Sequence, residues 1–268
     1  MADARPAGRI AVEGVAKWYQ RKGQPPLHVI EDCSFEVEPG KLTVLMGTSG
    51  CGKSTLAYLL AGYLSPDRGT LTIDGTAITG PGADRITVFQ ETALWPWMTA
   101  MENVIFGPMA LASMPEAEAR SRAEALLEKF GLIGFKDKYP GQLSGGMRRR
   151  AELAQALINS PKVMILDEPF RGLDVMTREL MQEYYMGLFE ETRLTTLFIT
   201  SELEEAIFLA DRLLIMRGTP SRVVKAVEVD LPHPRTFELL TGERYLEIKR
   251  EIMEEIYKDH AAADSDAT

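Results

Sequence analysis

Between residues 10 and 46 the apolar positions fall in short runs, 10–12, 29–30, 35–37 and 42–46, separated by glycine and proline. That spacing predicts strands joined by turns. The last run leads straight into a glycine-rich loop. After the turn signal Pro66-Asp67-Arg68-Gly69-Thr70, residues 71–73 and the Asp74-Gly75 pair predict a strand and hairpin turn, and residues 86–89 another strand. The period then changes. Pro115 at a first helical position, Ala123, Leu126, Leu127 and Phe130 at offsets of three and four, and Gly131 just past the end predict an amphipathic helix. A second is predicted after Gly145-Gly146, where Met147, Ala151, Ala154 and Ile158 form one buried stripe. Residues 163–166 and 196–199 are continuous apolar runs of the kind buried on both faces of a sheet. Each is followed by a helical pattern, so the second half predicts β-α-β units and a parallel sheet. A further strand is expected over 212–216, then a short extension through Leu231-Pro232-His233-Pro234. Tyr245, Ile248, Ile252 and Ile256 predict a terminal amphipathic helix, and the residues after Lys258 are expected to fray.

Composition narrows the class. The chain has 268 residues, 45% hydrophobic and 26% charged, which describes a globular protein of one large domain or two intimate ones. A net charge of −9 argues against broad binding to nucleic acid. The N-terminal segment lacks an apolar signal core, and no stretch approaches the roughly 18 apolar residues of a membrane span, so a membrane role is expected to come through a partner. Two cysteines, Cys33 and Cys51, are too few for a disulfide scaffold and suit a reducing cytosol.

Gly47-Thr48-Ser49-Gly50-Cys51-Gly52-Lys53-Ser54 matches the phosphate-binding pattern GxxxxGK[ST], placed between an apolar strand and a helical segment as that pattern requires. Backbone N–H groups would surround phosphate oxygens, Lys53 would reach the β and γ phosphates, and the Ser54 hydroxyl would ligate Mg²⁺; Thr55 completes the candidate set. Cys51, near a helix N-terminus, is expected to favour its thiolate and to be protected from alkylation by nucleotide. Residues 163–166 end in Asp167-Glu168, one carboxylate for a metal and one to polarise an attacking water. Leu143-Ser144-Gly145-Gly146-Met147 taken alone is equally a capped helix start with Ser144 as N-cap. Arg148-Arg149-Arg150 fan around a helix and are expected to form a solvated face.

Together, the phosphate loop, Gln90 after a strand, the Leu-Ser-Gly-Gly segment and Asp167-Glu168 resemble, in that order, the ATP-binding cassette (ABC) ATPase family, over about residues 9–228. The resemblance implies an α/β P-loop NTPase (RecA-like) core with an antiparallel β subdomain (9–90 and 161–228), an inserted helical subdomain (91–160) and a C-terminal extension (229–268). It implies that two cassettes, as homodimer or heterodimer, pair head to tail, with Ser144, Gly145 and Gly146 facing the ATP of the neighbour and Asp174 at the interface. Tyr19 matches the aromatic that stacks on adenine, with packing on the sheet as the alternative. Gln90 matches the glutamine that touches Mg²⁺ and the attacking water. The Leu94-Trp95-Pro96-Trp97-Met98 loop matches the region that meets a transmembrane permease, or else forms a small satellite core.

Within the family the chain is most similar to import ATPases for nitrate, sulfonate, taurine and bicarbonate, from the LSGGM segment, the Pro96-Trp97-Met98-Thr99 loop and the tail around residues 230–235. That implies ATP and Mg²⁺ as cofactors, a solute-binding protein in the complex, and a place on the cytoplasmic face of the membrane. Two positions depart from the family. Arg171 stands where a small residue is usual, and Ser201-Glu202 stands where histidine and aspartate are expected. Ser201 donates one hydrogen bond but carries no charge, so slow hydrolysis is expected, with a gain for Ser201→His. A regulatory cassette that binds ATP and scarcely turns it over is the rival reading. A soluble ABC protein of DNA repair or translation is disfavoured by the acidic balance and the single cassette.

Overall fold

The apolar run that feeds the glycine-rich loop forms β3 (Leu42–Gly47), buried along its whole length. The computed structural model describes residues 8–265, with side chains through residue 257. β3 pairs in parallel with β8 (Thr195–Thr200) on one side and β9 (Arg212–Gly218) on the other. Beyond β8 lie β7 (Val163–Asp167) and β6 (Arg85–Val88), also parallel. On the far side of β9 come β10 (Ser221–Glu228), β2 (Gln24–Val37), β1 (Ile10–Arg21), β4 (Arg68–Ile73) and β5 (Thr76–Ala77). Among the described residues the ten strands form one sheet, antiparallel in every pair of this second half except the single-residue contact of β10 with β2.

Alternation along the parallel strands sends side chains to two cores. Leu42, Val44, Met46, Met164, Leu166 and Phe198 face one; Leu45, Val163, Ile165, Leu197 and Ile199 face the other. Helix α1 (Lys53–Ala61) covers the second core through Leu56, Leu59 and Leu60. The first core is covered by α2 (Ala100–Ala110), α3 (Glu116–Lys129), α4 (Gly145–Leu157), α5 (Val175–Thr192), α6 (Leu203–Leu209) and α7 (Glu243–Ser265). Fully buried Phe130, Phe170, Phe198 and Phe208 each contribute about 1.5–3 kcal/mol by leaving water.

Four features differ from the sequence expectation. The three short runs before β3 are two long strands closed by a turn at Lys22-Gly23, and bulges along β1 break the period-two pattern. Helix α2 was not expected, because Gly107 and Pro108 interrupt its pattern; its start is fixed by Thr99 and Glu102, which cap each other. The extension after Arg217 contains β10, whose Val227 joins the core together with Val229 and Leu231 just beyond it. Tyr245, Ile248 and Ile252 of α7 are buried, and the helix continues to Ser265, past the expected start of fraying at Lys258; residues 266–268 lie outside the described residues.

The arginine triplet is not a solvated face. Arg149 is buried, donating to Phe89 O (2.7 Å), Gln90 O (2.6 Å) and Glu152 Oε2 (2.6 Å). Arg150 donates to Phe130 O and lies over the Tyr184 ring, and Arg148 donates to Leu143 O. Three directions on a helix here mean three separate anchors.

Candidate nucleotide-binding site

The loop from Gly47 to Lys53 turns the chain from β3 into α1, and its conformation demands glycine. Gly50 has φ +83° and Gly52, the N-cap of α1, has φ +94°. At Gly52 a Cβ would also come within 2.9 Å of Val29 Cγ1. The side chain of Lys53 is buried and folded back, donating to Gly47 O (2.8 Å) and Thr48 O (3.1 Å), with Glu168 Oε1 at 3.6 Å. A pocket opens over this loop, lined by Tyr19, Ser49, Gly50, Gly52, Lys53, Ser54, Thr55, Gln90 and Glu168 from the expected set. Leu27, Val29 and Arg171 line it as well. Sequence reasoning missed the two aliphatics, which only the β1–β2 pairing brings over the loop, and named Arg171 as a departure without giving it a place in the site.

Gly47, Thr48 and Cys51 belong to the loop without lining the pocket. Cys51 packs into the apolar core that holds Leu45 and Met216, and burial pushes its thiol up against the opposing pull of Lys53. The expected thiolate is therefore not favoured; desolvation outweighs the helix terminus.

At the end of β7, Asp167 is buried. Desolvation raises its carboxyl, opposed chiefly by the hydroxyl of Ser54, which donates to it. Its Oδ1 has no hydrogen-bond partner. A buried carboxylate oxygen left open beside a hydroxyl is a hard oxygen donor set that fits Mg²⁺; Ser54 and Gln90 line the pocket, and Asp167 joins it through Ser54 without lining it. Glu168 follows at φ +45°, a left-handed conformation that costs a residue with a Cβ roughly 1–2 kcal/mol. Its N–H donates to Ile199 O (2.9 Å), which ties the strained turn to β8. The carboxylate lies between two cations, with Oε2 accepting from Arg171 Nη1 at 2.6 Å.

Tyr19 sits at the loop, its hydroxyl 3.3 Å from Thr55 Oγ1, whereas Trp18 stacks on His28 with centroids 4.3 Å apart. Ser201 lines a small adjoining cleft with Glu168, Phe170, Arg171 and Arg178. Ser144 is the N-cap of α4, accepting from Met147 N, and Asp174 is the N-cap of α5, accepting from Thr177 N (3.0 Å) and Thr177 Oγ1 (2.7 Å). Those two bonds hold the Asp174 carboxyl below its ordinary range. The two caps are neighbours, since a Cβ at Gly146 would reach Thr177 Cγ2 at 2.9 Å. None of Ser144, Gly145, Gly146 or Asp174 lines the pocket of its own chain.

Residues 30–171 match the family described as ABC transporter. The chain belongs to that family. It is an ATP-binding subunit and ATP hydrolase of the sulfonate, taurine and bicarbonate group. It is 38% identical over 266 residues to the bicarbonate transport ATP-binding protein CmpD of Synechocystis sp., covering 98% of this chain and 94% of that one. It is 40% identical over 230 residues to the taurine import ATP-binding protein TauB of Yersinia pestis, covering 86% and 85%. Among solved structures, a dimeric ATP-binding cassette in a post-hydrolysis state with ADP and Pi matches with a TM-score of 0.72 and 27% identity, over 83% of this chain and all of that one. Among the described residues no helix is long and apolar enough to cross a membrane.

Proposed function

We propose that this cassette powers import of a small anionic solute by binding MgATP at the Lys53 pocket and hydrolysing it with Glu168 as general base. The observation that carries the reading is the pair of buried carboxylates at the end of β7: Asp167 with an open oxygen beside Ser54, and Glu168 3.6 Å from Lys53 in the phosphate pocket. Ser54, Asp167 and Gln90 would hold Mg²⁺, which when bound neutralises charge on the phosphates. The loop amides and Lys53 hold the triphosphate, Tyr19 offers a ring for the base, and Glu168 takes a proton from the attacking water. Glu168→Gln keeps the shape and removes the base. It should bind MgATP and lose turnover, as read by nucleotide titration and phosphate release. Turnover retained in that variant would remove Glu168 from the role.

The cassette boundaries, with a helical unit over 91–160 and an extension from 229, are part of the same proposal, as is a second cassette supplying Ser144, Gly145, Gly146 and Asp174. Val175, Met176 and Leu180 stand exposed beside Asp174, and the similar solved cassette is dimeric. A permease is the partner proposed for the loop around Trp95 and Trp97. Trp97 is 66% exposed, with its ring 5.2 Å from that of Trp95, and such aromatic anchors favour an interface over a satellite core. The cassette would then sit on the cytoplasmic face of the membrane with a solute-binding protein in the complex. The anionic group of the solute rests on CmpD and TauB, whose names specify bicarbonate and taurine, the latter a zwitterion that carries a sulfonate. Uptake of labelled taurine, alkyl sulfonate, nitrate and bicarbonate by cells with and without the gene tests it. Loss of one of these supports the class, and unchanged uptake of all four removes it.

A further inference from the structure

Arg171 is a pocket residue whose cation is engaged by a group that the reaction needs free. Its guanidinium, on a side chain 55% exposed, donates from Nη1 to Glu168 Oε2 at 2.6 Å, while Lys53 holds the other oxygen at 3.6 Å. The carboxylate is therefore bridged by two cations, both lining the phosphate pocket. Arg171 also lines the adjoining cleft with Ser201, whose hydroxyl brings no charge. Arg178 shares that cleft but not the pocket; it donates to Leu173 O and faces Glu205.

We propose that Arg171 is a catalytic residue that exchanges Glu168 for the terminal phosphate of ATP, so that nucleotide arrival frees the base and supplies the transition-state cation that Ser201 lacks. The proposal rests on Glu168 being the base. The pair is buried at Glu168 and exposed at Arg171, so the guanidinium can leave it without losing contact with water, while Lys53 stays 3.6 Å from the carboxylate. A triphosphate in the same pocket offers several negative oxygens at the spacing that a planar guanidinium meets in two parallel hydrogen bonds. Once Arg171 has turned, the Glu168 carboxylate is free to take a proton from the attacking water. The water oxygen bonds to the γ phosphorus, the bond from phosphorus to the β–γ bridging oxygen breaks with its electron pair leaving on ADP, and Glu168 later returns the proton to phosphate. The cation stabilises the charge that develops on the phosphoryl oxygens.

The test is steady-state phosphate release and separate nucleotide titration on the full chain, for wild type, Arg171→Ala, Arg171→Gln and Glu168→Gln. Arg171→Ala and Arg171→Gln are expected to lower kcat by roughly tenfold to a hundredfold, with nucleotide affinity changed by no more than about threefold. Adding Ser201→His to Arg171→Ala should recover turnover, because an imidazolium then restores a cation at the cleft. A kcat for both Arg171 variants equal to or above wild type, in chains that still bind nucleotide, would overturn the proposal and make the ion pair a restraint on Glu168. Retained turnover in Glu168→Gln would instead mark failure of the base assignment itself, and with it the exchange.

Discussion

Cys51 shows how burial overrides local chemistry at the scale of one residue. Its place in the phosphate loop suggests an activated thiol, yet the side chain is only 5% exposed and burial raises its pKa, while Cys33 is fully buried and pushed up to about 11. A raised thiol is protonated at neutral pH and reacts slowly. Alkylation of the native chain is therefore expected at neither cysteine, with or without ATP, and at both in denaturant. Intact-mass measurement checks this, and rapid native labelling of Cys51 alone would show that the loop opens in solution. Lys53 is the opposite case, a buried cation whose amine is held by two carbonyls at the pocket. Lys53→Ala should weaken ATP binding by at least about tenfold, the value of one charge-assisted contact to phosphate, as read by calorimetric titration.

Elements are held by contacts that no single run of sequence announces. Asn103 of α2 is fully buried. Its amide accepts from Trp95 N (2.7 Å) and donates to Trp95 O (3.1 Å), Met98 O (3.0 Å) and Thr99 O (3.0 Å), which fixes the loop that presents Trp97. Asn103→Ala strands those backbone groups, so a loss of roughly 2–3 kcal/mol is expected in denaturant unfolding, with altered tryptophan emission in the native state. The cap at the start of α2 carries a pH sign. Backbone and hydroxyl bonds from Thr99 hold Glu102 below its ordinary value, so its stabilisation is present above the usual carboxylate range and is lost as pH falls through the lowered value. The parallel core was legible because residues 163–166 and 196–199 are buried on both faces, and the phosphate loop because backbone geometry admits so few residues there. β10 and α2 were not legible, since a half-buried strand has a weak period and Pro108 hides a helix fixed by its cap. Arg149 was misread because nothing local shows that a charge on α4 will meet the carbonyls of Phe89 and Gln90 sixty residues earlier.

At the scale of the whole molecule, the pocket and the α4 N-terminus are on one chain but do not meet. Gly145 lies close to Leu173 and Gly146 to Thr177, and the helix terminus they form with Ser144, favourable to an anion, does not line the pocket of its own chain. In the head-to-tail pair proposed above, a second copy would bring Ser144, Gly145 and Gly146 to each pocket, and Met176, 74% exposed beside Asp174, would be covered. Nucleotide is expected to hold such a pair together, since the α4 N-terminus of each chain would then face phosphate bound by the other. With the base gone, Glu168→Gln should hold ATP and double in mass on adding MgATP in light scattering, returning to monomer when nucleotide is removed. Met176→Glu in that background would place a carboxylate beside Asp174 at the proposed interface, so it should abolish the doubling while leaving ATP affinity within about threefold. A Glu168→Gln chain that binds ATP tightly yet stays monomeric at every concentration would exclude the head-to-tail pair, and Ser144 would then be no more than the cap of α4.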